Sequence, residues 1–338
     1  MNAGDFDAAD FIESTLTQIV NGKNAGLIRD RYRHNAKLLY PAGKMKYGRE
    51  ALLADVLSFL AAFPDCELKP EDTISAAGRK GELKTSTRWR LSGRYTGDGT
   101  CGWPAESEVA ITGITNCRIH NERIVQQWIE YDKRSLLTQL GTDEYQCIED
   151  KVNGNEHPIE EEEFSTVLKV EGEIESSFGQ LPAENASSIE LINVFWNSRN
   201  FGDVDGYYSP DCTVHAGSGR ELQGTAELKQ WFLSLIAPFP DSVWFVDDLI
   251  REEGASGTSK QAFRWTIAGT HRSTGMYGPP TGEKVLFTGI TQQLLTNTKI
   301  QEEWTEFSEL DVVEKIEMNR YRAACEKEQP PDVQSEDN

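Results

Sequence analysis

The chain has 338 residues, with 55 acidic against 34 basic side chains and a formal net charge of −21. Such a charge repels phosphate backbones and anionic lipid surfaces, which argues against a nucleic-acid or membrane partner. No apolar run approaches the roughly 18 residues of a membrane span, and the opening MNAGDFDAADF carries no signal pattern, so a cytoplasmic protein is expected.

In chain order, Ile12, Leu16, Ile19 and Val20 have the spacing of one helix face. REALLADVLSFLAAF (49–63) predicts a second helix, ended by Pro64. The period then falls to two. ELKTSTRWRL (82–91), SEVAITGITNCRI (107–119) and RIVQQWIEYD (123–132) predict long strands joined by turns containing glycine or asparagine. GDGTCG (97–102) satisfies GxGxxG but leads into Trp103-Pro104 and another strand instead of opening a helix. It is expected to be a hairpin loop, not a dinucleotide site. Residues 143–176 are acid-rich, with EEEE at 160–163, and predict a solvated, extended linker, with an acidic docking tether the alternative. Beyond them come helices at 187–198 and 225–237, then strands near 243–251, 259–270, 283–296 and 299–308. EQPPDVQSEDN (328–338) is a polar tail.

The second series repeats the first. TGIT stands at 112–115 and again at 288–291, an offset of 176. At the same offset, Phe63-Pro64-Asp65 answers to Phe239-Pro240-Asp241, Arg88-Trp89 to Arg264-Trp265, and Gly93 to Gly269. Ile124, Trp128 and Glu130 answer to Ile300, Trp304 and Glu306, and Tyr32 to Tyr208. The register needs no gap from about residue 11 to about residue 132. The chain is therefore two copies of one unit, 11–140 and 187–316, each long enough for its own core. The layout is a first domain at 1–142, an acidic linker at 143–186, a second domain at 187–325 and a tail at 326–338. Helices followed by an antiparallel sheet give an α+β class in each copy.

The six cysteines form no CxxC and none recurs at an equivalent position, as in a reducing compartment. The five histidines show no HxxxH or HxE spacing, so a metal site is not indicated.

Several strings together resemble the SnoaL-like polyketide cyclases of the nuclear transport factor 2-like superfamily. In the second copy these are PFPD (238–241), FRWTIAGTH (263–271), GPPTG (278–282), FTGIT (287–291) and KIQEEWTEF (299–307). In the first they are AFPD (62–65), TRWRLSGRY (87–95), ITGIT (111–115) and RIVQQWIEYD, followed by LLTQLG (136–141). The resemblance implies two tandem cone domains, each a curved antiparallel sheet packed on N-terminal helices, and intrachain pairing of the two as a pseudo-dimer. It also implies cofactor-independent and metal-independent ring closure on a small apolar, polyketide-like ligand, with an aspartate near the end of the last strand as acid/base.

Asp132 matches that aspartate. Trp128, Glu130 and Asp132 share one strand face; if that face lined the cone, two coupled carboxylates would sit beside an indole. The alternative for Asp132 is a helix cap at Lys133. The second copy has Ser308 at this position and keeps Glu306. It carries His271 where the first has Tyr95, and His215 where the first has Leu39. The catalytic candidates are thus Asp132, Glu130 and His271. Trp128, Trp89, Tyr95, His215, Trp265, Trp304 and Glu306 are candidates for substrate contact, with core or cavity wall the alternative for the tryptophans. Arg88 and Arg264 point away from the adjacent tryptophans, as for sheet-to-sheet salt bridges, with a substrate contact the alternative. Two readings follow: a cofactor-independent cyclase-type enzyme, or a non-catalytic ligand-binding or dimerisation module.

Overall fold

The computed structural model describes residues 6–96, 107–142, 144–145, 148 and 193–328. Helix α1 (Ala8–Val20) starts at Asp7, whose carboxylate accepts from the backbone N–H of Ala9 and Asp10. A short α2 (Ile28–Arg31) leads into β1 (Tyr32–Leu39) and β2 (Met45–Tyr47), and α3 (Arg49–Ala62) follows. Four long strands come next: β3 (Glu67–Ala77), β4 (Leu83–Tyr95), β5 (Ser107–His120) and β6 (Arg123–Tyr131), closed by α4 (Lys133–Gln139). The second half opens on a π-helical turn at Asn193–Asn197 and α5 (Val204–Tyr207). It continues with β7 (Tyr208–Ala216), β8 (Arg220–Gln223), α6 (Gly224–Ile236), β9 (Val243–Glu253), β10 (Thr258–Thr270), β11 (Lys284–Thr296), β12 (Lys299–Phe307) and α7 (Glu309–Glu328).

Each half is one six-stranded sheet, in the orders β2-β1-β6-β5-β4-β3 and β8-β7-β12-β11-β10-β9. The α+β class holds, but the sheets are mixed rather than purely antiparallel, because β1 pairs β6 and β7 pairs β12 in parallel. A parallel neighbour requires a long crossover, and here the rest of the domain supplies it. Strands β1, β2, β3, β7 and β8 and helix α7 were not legible in the sequence. Part of the segment expected as a solvated linker is packed: Glu144 pairs with Arg134 at 2.7 Å, and Ile148 is buried in the apolar core of the second half. GDGTCG, most of the acidic segment and the tail from residue 329 onward lie outside the described residues.

The repeated TGIT has a separate task for each residue. Gly113 is the cross-strand partner of Trp89, and Gly289 that of Trp265. A Cβ on Gly113 would stand 2.2 Å from the Trp89 ring, and one on Gly289 2.2 Å from the Trp265 ring. Only glycine lets the indole lie flat on the neighbouring strand. Two residues on, the hydroxyl of Thr115 accepts from Trp89 Nε1 at 2.9 Å, and that of Thr291 from Trp265 Nε1 at 3.0 Å. Each indole is thus seated and tethered inside its own core. Thr112, Ile114, Thr288 and Ile290 point out of the opposite face by strand alternation.

That opposite face meets the other half, and several of its contacts come in reciprocal pairs. Thr112 donates to Glu306 Oε1 at 2.5 Å, and Thr288 donates to Glu130 Oε1 at 2.5 Å. The Arg88 guanidinium lies 3.9 Å from the Trp304 ring centroid, and that of Arg264 lies 4.7 Å from Trp128. Lys84 pairs with Asp248, and Lys260 with Asp72 at 2.5 Å. Ile114, Trp128 and Ile290 cluster between the sheets. The sheet-to-sheet salt bridges therefore fall to Lys84, Lys260 and Arg118, the last reaching Asp248 at 3.2 Å. Arg88 and Arg264 pair within their own sheets, with Glu71 at 2.5 Å and Asp247 at 2.9 Å, and reach across by cation–π contact.

Gly289→Ala forces the Trp265 ring off its seat. The expected cost is about 1–3 kcal/mol, the usual range for overpacking a core, and Gly113→Ala should match it against Trp89. Chemical denaturation of each single variant measures this.

Candidate functional site in the second cone

The structure separates the sequence-predicted residues into two groups. Trp128, Glu130, Trp304 and Glu306 lie on the face toward the other half, not in a cone. The side chain of Glu130 is buried and Oε2 has no hydrogen-bond partner among the described residues; the same holds for Glu306. Burial pushes the Glu130 carboxyl well above its ordinary range, against the Thr288 hydrogen bond. Glu306 is pushed up to about 8 by burial and by the nearby Asp132 charge.

Asp132 is the N-cap of α4: Oδ1 accepts from Ser135 N at 2.9 Å, while Oδ2 accepts from Gly219 N of the other half at 3.1 Å. Burial raises its pKa, and the backbone N–H groups of Ser135, Ser218 and Gly219 counter that. Both oxygens are engaged by backbone donors, and Asp132 is not among the residues lining the cavity described below. His215 stacks on Trp304, with centroids 5.5 Å apart, and its Nε2 lies 3.1 Å from Glu302. His271 is fully buried at the end of β10, its ring 5.6 Å from Phe239 and its Nδ1 3.3 Å from the Thr281 hydroxyl. Burial, aided by Arg320, lowers its pKa and favours neutral imidazole. Tyr95 holds the matching place in the first half, 5.3 Å from Phe63. Trp89 and Trp265 are the tethered core indoles.

A cavity does open in the second half, on the other face of β12. It measures about 20 Å³ and is walled by Trp196, Phe232, Trp244 and Trp265, with Glu303 as its ionisable group of lowest ordinary pKa. Trp196 and Trp244 approach to 4.0 Å between centroids, and Trp244 and Trp265 to 4.5 Å. The equivalent positions in the first half are Val20, Val56, Leu68 and Trp89, so the second cone has aromatic rings where the first has three aliphatic side chains.

Glu303 is buried in this wall and held by three side-chain donors. Oε2 accepts from Tyr208 at 2.7 Å and from Gln293 at 2.5 Å, and Oε1 accepts from Thr305 at 3.1 Å. Burial raises its pKa, while the donors hold it down, so a carboxylate is kept in an apolar place at a basicity above the usual range. The first half has Gln127 at this position, accepting from Tyr32 at 2.5 Å. Glu303 was missed in the sequence because the adjacent Trp304 and Glu306 match the first copy and drew attention to the wrong face. The signal was in the offset: Gln127 becomes Glu303, and its cross-strand partner Cys117 becomes Gln293.

Each half is an α+β domain, a six-stranded mixed sheet with flanking helices, and the second encloses a buried carboxylate in an aromatic-walled cavity. The chain belongs to the SnoaL-like polyketide cyclase family, whose model matches residues 10–140 and again 187–316. No curated protein matches it. Among solved structures, it is similar to IdmH, a proposed polyketide cyclase from Streptomyces antibioticus, at 22% identity over 40% of this chain and 100% of that one, TM-score 0.36. It is also similar to a proposed polyketide cyclase from Acidithiobacillus ferrooxidans, at 24% identity over 38% and 89%, TM-score 0.33. TsrD from Streptomyces laurentii matches at 21% identity over 41% and 100%, TM-score 0.35. No helix among the described residues is long and apolar enough to cross a membrane.

The buried Glu306 makes stability pH-dependent. Its pKa rises from 4.5 to about 8 on folding. Between those values the folded chain keeps a proton that the unfolded chain has released, so its contribution is full below the lower value and is lost as pH rises through the upper one. Denaturation of wild type and Glu306→Gln at about pH 5 and about pH 8 should give a smaller loss of stability in the variant.

Proposed function

We propose that the chain is a SnoaL-type acid/base enzyme whose chemistry belongs to its second cone, acting on a small, flat, apolar carbonyl compound without metal or cofactor. The observation that carries this reading is Glu303, a buried carboxylate with three donors in an aromatic-walled cavity. The Glu303 carboxylate removes the proton alpha to a carbonyl. The enolate carbon attacks a second carbonyl carbon of the same molecule, closing a ring and leaving an alkoxide. Protonated Glu303 then returns its proton to that oxygen, so no leaving group is needed. A carboxylate of raised basicity suits the first step, and its conjugate acid the last. Tyr208, whose pKa burial raises well above the phenol range, stays a neutral donor to Glu303 throughout.

In this reading the first half is a pairing partner, and the two halves form an intrachain pseudo-dimer. The reciprocal Thr–Glu, Arg–Trp and Lys–Asp contacts support it, since a residue i that meets j while the equivalent of j meets the equivalent of i is the mark of two-fold pairing. A second reading, a binding module without turnover, is favoured by cavity size: about 20 Å³ holds roughly one water.

Glu303→Gln separates the two readings, because Gln127 already fills that place in the first half. With aromatic polyketide esters as substrates, the variant should lose at least about a hundredfold in turnover. Wild-type activity should rise with pH as Glu303 ionises, above the usual carboxylate range. Asp132→Asn, which preserves a helix cap, should leave turnover near wild type. Loss in Asp132→Asn with retention in Glu303→Gln would return the base to Asp132. Equal binding of the esters by wild type and Glu303→Gln with turnover in neither would establish the module.

A further inference from the structure

The Glu303 side chain ends a row of polar groups that crosses three strands. Gln261 on β10 is the register partner of Gln293 on β11, which is the register partner of Glu303 on β12. Gln261 Nε2 donates to Gln293 Oε1 at 2.5 Å, and Gln293 Nε2 donates to Glu303 Oε2 at 2.5 Å. All three side chains are buried. In the first half the same row reads Thr85, Cys117, Gln127. Three replacements therefore fall on one rung of the sheet, and the cross-strand pairs around it, such as Trp265 with Gly289, are kept.

The direction of this chain matters. A primary amide has one acceptor end and one donor end. With its carbonyl satisfied by Gln261, Gln293 presents N–H to the carboxylate. Turned over, it would set its carbonyl against a carboxylate oxygen, two acceptors in a buried place, and leave Gln261 facing another donor. The other titratable groups facing Glu303 come from β7, the Tyr208 hydroxyl and the Cys212 thiol. The π-helical turn and α6 contribute aromatic rings and Leu235 to the wall. Gln293 is thus a donor whose orientation is fixed from behind by Gln261, which stands two strands away from Glu303.

We propose that Gln293 is the positioning residue of the second cone, holding Glu303 ionised and aimed into the cavity, and that Gln261 sets the orientation of Gln293. The catalytic meaning of this rests on the reading of Glu303 as the base; the ionisation effect does not.

The test is the carboxyl titration of Glu303 in the full chain, read by infrared difference spectra with Glu303→Gln as the subtraction reference for each background. The substitutions are Gln293→Cys and Gln261→Thr, the residues the first half already packs at those places. Gln293→Cys should raise the midpoint by about one pH unit, the size of one lost hydrogen bond to a charged group. Gln261→Thr should raise it less, in the same direction. In turnover assays the pH–rate profile should move by the same amounts. An unmoved midpoint in Gln293→Cys overturns the positioning role, and an unmoved midpoint in Gln261→Thr alone overturns the orienting role. If either variant fails to fold, Gln293→Leu and Gln261→Val give the same readout. A shifted midpoint together with full turnover in Glu303→Gln would sustain this inference and sink the assignment of Glu303 as base.

Discussion

Each half of the molecule is built on an indole laid across a glycine. Trp89 and Trp265 fill the centre of their cores only because Gly113 and Gly289 leave the facing strand bare at that rung. The threonine two residues further on takes the indole N–H, which would otherwise be buried without a partner. Fixing the ring fixes the register of β4 on β5 and of β10 on β11. Register decides which residues of the next strand look inward and which outward, since a slip of one would exchange the two faces. The repeated tetrapeptide is therefore also the element that commits Thr112 and Thr288 to the opposite half.

The two faces of these sheets have different histories in the two copies. On the outward face several contacts still match: threonine to glutamate, arginine to indole and lysine to aspartate recur at equal offsets. On the inward face they have parted. The second cone has Trp196, Phe232, Trp244 and Glu303 where the first has Val20, Val56, Leu68 and Gln127. Burial of one carboxylate there is tolerable because Tyr208, Gln293 and Thr305 supply hydrogen bonds to it. At the outward face Glu130 and Glu306 each receive one hydroxyl, and burial raises their basicity strongly.

Much of this was legible in the sequence. The duplication, strands β4 to β6 and β9 to β12, helices α1, α3 and α6 and the family all followed from periodicity and motif. The face assignment did not. Strand alternation says that Trp128, Glu130 and Asp132 travel together; it does not say which way they travel. Arbitration normally comes from polarity, but here both faces are buried, one in a core and one against a second sheet. An indole beside a carboxylate then looks the same at a pocket and at an interface. The parallel pairing of β1 with β6 was hidden for a different reason: its partners are far apart in sequence, and β1, YRHNAKLL, has no strong alternation. The cap at Asp132 was legible as an alternative, and the backbone N–H of Ser135 decides for it locally.

The asymmetry of the two cones carries a consequence for how such a protein can change over generations. In a symmetric dimer of identical chains, one mutation appears at both sites at once, so a cavity cannot be altered without altering its twin. With both copies written in one reading frame, a codon change touches one cone and leaves the other as a stable neighbour. The Gln261–Gln293–Glu303 rung is a change of that kind: three side chains that depend on one another in one cone, beside a counterpart with none of them. Duplication in tandem thereby leaves one interior free to differ while the shared face keeps the constraint of having to fit itself.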